Sequence, residues 1–453
     1  MYLKKIAAII RGKLIGSNIK INNFSINSKN INNNCIFIAI HGKYFDGHNF
    51  ILEAINNGAK ALIVHKYVSV YIPQIIVNNT TLSLGKISAW KRSKYKHCII
   101  GITGTTGKTS LKEMIVSILQ KKYNILYTIG NMNNYIGVPL TLLKLNNNFQ
   151  YAVIEIGGSS YKELVYLSKI VKPNIAIINN IDIAHLQGFK NLFTIIYSKK
   201  QIFYYTKHDG IIIFNDDDDN QKNITNNIHN KTIMNFSLYN KNATVYASNI
   251  QIQAYIIKFY LHAWQKKIYI HLNLIGGLHH ISNALAAATI IIALKNNMTL
   301  QNIASGLTDF HPIKGRLYPI FIKKKQIILH DAYNANPKSV CTAINILKNI
   351  PGYKILVIGD MLELGSQSKY YHIQIGKIIS SAHLNVVFSI GEYTKNIIYN
   401  NTFYSKHFTS FTDLIHQLLC ILKNQKHYTI LFKGSHKNNM DTLINILLKQ
   451  LPK

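Results

Sequence analysis

The segment Gly104-Thr105-Thr106-Gly107-Lys108-Thr109-Ser110 has the residue types of a phosphate cradle. It follows the apolar run Cys98-Ile-Ile-Gly-Ile-Thr103 and leads into a helix expected from Leu111 to about Lys121. A glycine-rich loop between strand and helix turns backbone N–H groups and the positive end of the helix toward phosphate oxygens. Lys108 is then placed to reach the terminal phosphates, and the Thr109 hydroxyl to ligate Mg²⁺. The strict pattern asks for a glycine five residues before Gly107, where this chain has Ile102. With strand, Gly-Lys-Thr and helix all in place, nucleotide binding is expected, the alternative being an ordinary Gly/Thr turn.

Other residues could join such a site. Glu155 ends the run Tyr151-Ala-Val-Ile-Glu155, at the strand end where open parallel sheets hold ligands. A carboxylate there is costly to bury alone, so a metal or a basic side chain must face it, and both stay open. His185 lies beyond the run ending near Asn180, on the same sheet edge, where a lone histidine is more often structural than a ligand. Lys199, fourteen residues later, reads by itself as a solvated helix lysine. Asp331, in His330-Asp331-Ala332-Tyr333-Asn334-Ala335-Asn336-Pro337, closes a strand and opens either a binding turn or a helix cap. The acidic run Asp216 to Asp219 reads as an exposed loop, because four adjacent acids cannot converge on one ion.

These residues need a scaffold, and 453 residues at roughly 150 per domain suggest about three domains. Residues 1–84 hold short strand-like runs such as Cys35-Ile-Phe-Ile-Ala-Ile40 between Asn- and Gly-rich turns, which predicts a small α/β unit. Over 85–313 near-continuous apolar runs alternate with helical stretches, at Cys98–Thr103, Tyr151–Glu155, Asn174–Ile178 and Gly210–Phe214. That alternation predicts a parallel sheet covered on both faces. Over 314–453 it restarts, at Gln326–Leu329, Lys354–Ile358, Asn385–Ile390 and Tyr428–Phe432, as a second, Rossmann-like α/β unit with no phosphate loop of its own.

Composition narrows the function classes. A hydrophobic fraction of 48% excludes general disorder. The longest apolar stretch, Ala284 to Leu294, is eleven residues, against the ~20 of a membrane span. Five apolar residues before Arg11 are too few for a secretory signal, and Cys35, Cys98, Cys341 and Cys420 have no metal spacing. Reduced thiols in a cytoplasmic protein are expected. The net charge of +33 comes from 51 Lys and Arg against 18 Asp and Glu. The lysines are spread along the chain and accompany an excess of Asn and Ile, as A/T-rich codons would produce. No specific nucleic-acid or membrane partner is expected, although the field attracts phosphorylated substrates. A basic nucleotide-binding module that contacts nucleic acid without catalysis is the rival class.

Several segments recur in one order: Phe45-Asp46-Gly47-His48, Thr103 to Thr109, Gly130-Asn131-Met-Asn133-Asn134-Tyr-Ile-Gly137-Val-Pro139-Leu-Thr141, and His185-Leu-Gln-Gly188-Phe189. Asp331-Ala-Tyr-Asn334-Ala-Asn336, Gly359-Asp-Met-Leu-Glu-Leu-Gly365 and Lys433-Gly434-Ser435 follow. Together they resemble the Mur ligases, the ATP-dependent amino-acid-adding enzymes of peptidoglycan synthesis. The segments at Gly130, Asp331 and Gly359 look like the branch that adds D-alanyl-D-alanine to UDP-N-acetylmuramoyl-tripeptide. The family's shortened loop accounts for Ile102. Another ligase of the group, with a different acceptor, is the near alternative.

The resemblance implies a first domain that binds the UDP end of the substrate, a central ATPase domain and a C-terminal Rossmann-like domain. It implies Mg²⁺ at Thr109, Glu155 and His185, with a carbamylated Lys199 alongside. Lys108, His185 and Lys199 become catalytic, while Asn283, Arg316 and Asp331 join Gly104 to Ser110 around ATP. Ser28, Lys29 and Phe45 to His48 fall at the UDP end; Asn134, Tyr333, Asn334 and Asn336 are further substrate contacts. A monomer whose domains close over an acyl-phosphate intermediate is implied. The chain departs from the family pattern at Lys29, Tyr135, Gly158-Ser159-Ser160, His280, His330 and His436.

Overall fold

Isoleucine-rich runs become strands throughout, since a β-branched side chain packs well on a pleated, buried surface. The computed structural model describes residues 1–42, 45–222, 224, 228, 230–398 and 404–451. The first sheet contains β1 (Lys13–Ile15), β2 (Asn23–Ser25), β3 (Cys35–Ile38), β4 (Ala61–Val64) and β5 (Gln74–Ile76), in the order β1-β5-β4-β3-β2. Only β1 runs antiparallel to its neighbour.

The central sheet is built from β6 (Cys98–Thr103), β7 (Ile125–Tyr127), β8 (Tyr151–Glu155), β9 (Ile175–Ile178), β10 (Ile211–Asn215), β11 (Thr232–Ser237), β12 (Val245–Ile252), β13 (Ile257–Ala263) and β14 (Lys266–Leu272). Its order is β14-β13-β12-β11-β10-β9-β6-β8-β7. The pairs from β7 to β12 are parallel, as the apolar runs predict. Beyond them β12, β13 and β14 continue the sheet antiparallel, a part the sequence reading left out. The signal was available: Ile257–Ala263 alternates buried and half-exposed residues, the period of a sheet wetted on one face.

The third sheet holds β15 (Tyr318–Lys323), β16 (Gln326–Asp331), β17 (Tyr353–Gly359), β18 (Val386–Ile390), β19 (Tyr404–Phe408) and β20 (Tyr428–Lys433), in the order β15-β16-β20-β17-β18-β19. All pairs but β15–β16 are parallel. The helix Thr80–Lys94 joins the first two units, packing on Leu3–Ile10 on one side and on Tyr161–Val171 on the other.

Two helices set the site. Lys108–Leu119 begins three residues before the expected Leu111, so Lys108, Thr109 and Ser110 form its first turn. Behind it packs Leu278–Ala293, whose Ala284, Ala286, Ala287 and Ala288 are fully buried and let the two axes approach. Among the described residues no helix is long and apolar enough to cross a membrane.

Candidate active site

Strands β6, β8 and β9 are neighbours, so their C-terminal ends deliver the loop Gly104–Gly107, Glu155 and Asn179-Asn180 to one edge. The asparagines pin the loop. Asn180 accepts the Thr105 N–H at 2.9 Å through its carbonyl and the Thr106 N–H at 2.8 Å through its side chain. Asn179 Nδ2 donates to the Thr106 carbonyl at 3.1 Å and to Asn283 Oδ1 at 2.8 Å. Gly107 has φ 75° and faces these groups; a Cβ there would lie 2.7 Å from Asn179 Nδ2. Sequence reasoning missed the pair, although two adjacent amides directly after an apolar strand were the signal.

Two lysines converge on one carbonyl. Lys108 Nζ donates to the oxygens of Gly104 (2.9 Å) and Thr105 (3.1 Å). Lys199 Nζ, from the helix Leu192–Tyr204, donates to the same Gly104 oxygen at 2.8 Å. Lys199 is buried, which corrects its reading as a solvated helix lysine. Burial brings the Lys108 ammonium down to about 8. Burial, with the Lys108 charge adding to it, holds Lys199 far below the ordinary lysine value, favouring a neutral amine.

Glu155 is wholly buried at the end of β8. Its Oε1 accepts from Asn133 Nδ2 (2.7 Å) and Thr109 Oγ1 (3.2 Å), whereas Oε2 has neither partner nor solvent. No lysine or arginine forms an ion pair with it among the described residues, so of the two alternatives the basic partner is not the one found. An orphaned carboxylate oxygen beside a hydroxyl is a hard-oxygen donor set, and it fits Mg²⁺. Arg316 Nη2 donates to the same Thr109 hydroxyl at 2.7 Å, and its guanidinium lies 4.2 Å from the centre of the Tyr333 ring.

Glu155 is held from behind by a residue that sequence reasoning passed over. Its N–H donates to Thr128 Oγ1 at 3.0 Å. Lys112, with no exposed surface, donates from Nζ to the Thr128 carbonyl at 2.5 Å and pairs with Glu113 at 2.7 Å. A lysine one turn after Lys108, on the face shared with Leu111 and Ile115, was its trace in the sequence.

His185 sits at φ 52° before the short helix Leu186–Phe189, and its Nδ1 pairs with Glu363 of the third unit. That histidine holds the Glu363 carboxyl below its usual range. Lys338 and Asp182 pair at 2.8 Å across the same junction. Asp331 is clamped, with Oδ2 2.9 Å from Lys433 Nζ and Oδ1 accepting the Leu317 N–H at 3.1 Å. Lys433 also donates to the Asn334 carbonyl at 2.7 Å. The turn that Asp331 opens ends in a helix cap, since Asn336 and Ser339 cap Pro337–Asn349 reciprocally. The Asn134 side chain likewise accepts from Gly137 N–H at 2.9 Å, at the start of Gly137–Leu143.

The Ser28 to His48 residues cluster within the first unit. Ser28 Oγ donates to Glu53 at 2.6 Å, and Lys29 is exposed. Asp46 pairs with His48 Nδ1 at 2.7 Å, and these contacts bring its carboxyl down to about 2 against the effect of burial. Gly47 is tight against the backbone, a Cβ there lying 2.8 Å from Ile40 N, while Phe45 projects outward on Phe50.

The departures are accommodated. Ser160 caps the helix Tyr161–Val171, and Tyr135 is exposed. Burial drives His280 well below the histidine range, with its Nδ1 unpartnered. His330 is buried with a nitrogen 3.2 Å from Asp441, at an angle that makes no hydrogen bond. The His436 ring meets Tyr333 edge-on.

The acidic run is not the exposed loop expected. Asp216, Asp217 and Asp218 are half-buried, and they diverge to tie the end of β10 to its neighbours. Asp217 accepts the Leu238 N–H at 2.6 Å and Asp218 the Ile181 N–H at 2.7 Å.

Three family models match: the Mur ligase middle domain over 102–291, the Mur ligase glutamate ligase domain over 315–436, and the Mur ligase family catalytic domain over 20–92. The chain is 44% identical over 459 residues to the UDP-N-acetylmuramoyl-tripeptide–D-alanyl-D-alanine ligase of Buchnera aphidicola, covering 100% of this chain and 99% of that one. MurF from Acinetobacter baumannii superposes with a TM-score of 0.92 at 31% identity, covering 99% and 98% of the two chains. MurF from Thermotoga maritima, solved in complex with ADP, superposes with a TM-score of 0.84 at 25% identity over 95% and 97%.

Proposed function

We infer the chemistry from one premise: this chain belongs to the Mur ligase family. It is an ATP-dependent ligase that joins D-alanyl-D-alanine to UDP-N-acetylmuramoyl-tripeptide, giving the pentapeptide precursor for peptidoglycan. The observation that carries the reading is the convergence of Lys108, Lys199, Thr109, Glu155 and Arg316 on one sheet edge around a phosphate loop.

A carboxylate is a poor electrophile, so the tripeptide carboxylate first attacks the γ-phosphorus of ATP, and ADP leaves. The amine of D-alanyl-D-alanine then attacks the acyl carbon and expels phosphate, losing a proton. Loop N–H groups and Lys108 hold the phosphate oxygens where charge is spread during transfer. Thr109 and Glu155 would hold Mg²⁺, which neutralises that charge, with His185 as a further donor once freed from Glu363. Arg316, stacked on Tyr333, brings a fixed positive fork from the third unit to the Thr109 hydroxyl. Asn283 and Asp331 border the nucleotide. Ser28, Lys29 and Phe45 to His48 take the UDP end, and Tyr333 and Asn334 line the acceptor side.

Lys199 is assigned a carbamate. A buried, neutral amine can add CO₂ and release a proton, and the resulting anion would lie beside Lys108 and Gly104. Residues 1–84, 85–313 and 314–453 are assigned as the UDP-binding, ATP-binding and Rossmann-like domains. Both substrates and ATP are charged, water-soluble molecules, consistent with a cytoplasmic monomer acting without membrane or nucleic-acid partners.

The deciding experiment is phosphate release from ATP and Mg²⁺ with the UDP-tripeptide, with and without D-alanyl-D-alanine, the product being weighed by mass spectrometry. Release that requires both substrates is expected; release indifferent to the dipeptide would overturn the reading. Oligonucleotide binding should disappear between about 50 and 200 mM salt, as expected for unorganised charge, and a fluorescence-anisotropy titration checks it. Lys112→Met leaves the Thr128 carbonyl without its donor and should cost about 1–3 kcal/mol. It should also raise the Mg²⁺ needed for half-maximal turnover, by loosening Glu155; thermal melts and a Mg²⁺ titration test both effects.

A further inference from the structure

A cavity of about 590 Å³ lies between the helices Thr80–Lys94 and Tyr161–Val171. It is remote from the phosphate loop. Tyr95 on its wall precedes β6, and Lys172 precedes β9, so it sits at the N-terminal edge of the central sheet, while Gly104 and Glu155 lie at the C-terminal edge. Leu82, Ala89 and Ile170 give it apolar walls.

Its charge is one-sided. Lys86, Arg92, Lys169, Lys172 and Lys207 are five of its twelve lining residues, and none of the twelve is acidic. Lys and Arg make up 51 of 453 residues in the whole chain, so this density is about four times the background that a biased composition supplies. Arg92 is buried, and its hydrogen bonds all go to neutral oxygens: the carbonyls of Val171 (2.7 Å), Tyr95 (3.3 Å) and Lys172 (2.7 Å), and Asn174 Oδ1 (3.1 Å). These bonds use four of its five N–H groups, and its charge has no counter-ion among the described residues, a costly state away from water. Lys207, exposed at the rim, is held below its usual range by partial desolvation and by the Arg92 charge. The Tyr166 hydroxyl is shut off from solvent and has no hydrogen-bond partner. It fits there only because residue 85 is glycine, since a Cβ at Gly85 would overlap it.

We propose that this cavity is a binding site for an amphipathic anion, a flat aromatic or short acyl group bearing a carboxylate, sulfonate or phosphate. The volume falls in the range of small-molecule sites, about 300–1,000 Å³. The apolar walls would take the body of such a ligand, and the anionic head would compensate Arg92 and the rim lysines. The site also lies where the first unit meets the central one, since Lys86 Nζ reaches the Ile10 carbonyl at 3.4 Å.

The test is calorimetric titration of the full chain with 2-naphthoate, in the presence of saturating ADP and Mg²⁺ so that the phosphate loop is filled. One saturable site is expected, with binding at least tenfold weaker for uncharged 2-naphthalenemethanol. The exposed pair Lys169→Glu/Lys207→Glu should weaken it tenfold or more with phosphate-release activity unchanged. No saturable uptake would overturn the proposal. So would several weak sites indifferent to Lys169→Glu/Lys207→Glu, which would mark general attraction to a surface of net charge +33. Uptake that ADP abolishes would place the probe in the nucleotide site and overturn it equally.

Discussion

Lys199→Ala is expected to lower turnover by about 10²–10³-fold, the usual loss when a preorganised charge is removed from a developing transition state. Acetate added to the variant should restore part of the rate, because a free carboxylate can occupy the place of the proposed carbamate. Unchanged turnover would remove the carbamate from the mechanism. A second readout separates chemistry from packing. In metal-free, CO₂-depleted buffer the wild-type chain must strip a proton from Lys199 on folding, since burial holds that amine far below its ordinary value. Between the depressed folded value and the unfolded value of about 10.4, the unfolded chain binds more protons, so stability rises with pH. Lys199→Met should therefore be more stable than wild type at neutral pH, and its advantage should vanish as pH approaches about 10.4. Paired melts across that range check the sign.

The second large effect is at Glu155. Glu155→Gln keeps an oxygen for Asn133 and Thr109 but removes the charge whose second oxygen has no partner. Turnover should fall about 10²–10³-fold, as phosphate charge goes uncompensated. The metal-free variant, however, should be more stable than wild type by about 1–3 kcal/mol, because a buried carboxylate with one unpartnered oxygen and no ion pair, attracted by Lys108 only across a longer distance, is gone. Each kcal/mol corresponds to about 2–4 °C in a domain of 150–250 residues. Mg²⁺ should raise the melting temperature of wild type and leave that of the variant unmoved. A variant that is less stable than wild type, or that Mg²⁺ still stabilises, would show that Glu155 is a packing residue.

Much of this was legible along the chain because it is local. Gly104 to Ser110 can be read from adjacent residue types, since turn, loop amides and helix start are all built within one short segment. Strands β6, β8, β9, β10, β16, β17, β18 and β20 follow from apolar runs of four to seven residues, the pattern that burial on both faces produces. The position of Glu155 at a strand end followed in the same way, and the family resemblance rested on the order of such segments.

What remained hidden depends on partners distant in sequence. Thr109 receives Arg316 from 207 residues away, and Gly104 receives Lys199 from 95 away. Lys199 reads as solvated because its own helix does not say what covers it; burial, and with it the neutral amine, is decided by the loop it meets. Lys112 is silent for the same reason, because its task is a carbonyl on the next strand's flank. His185 finds Glu363 across the junction of two sheets, a pairing set by how those units dock. Residue chemistry and strand ends are properties of short segments. Charge state, unpaired oxygens and the one-sided cavity beside Arg92 are properties of the packed whole, because solvent exclusion and Coulomb interaction depend on distance in space and not on distance along the chain.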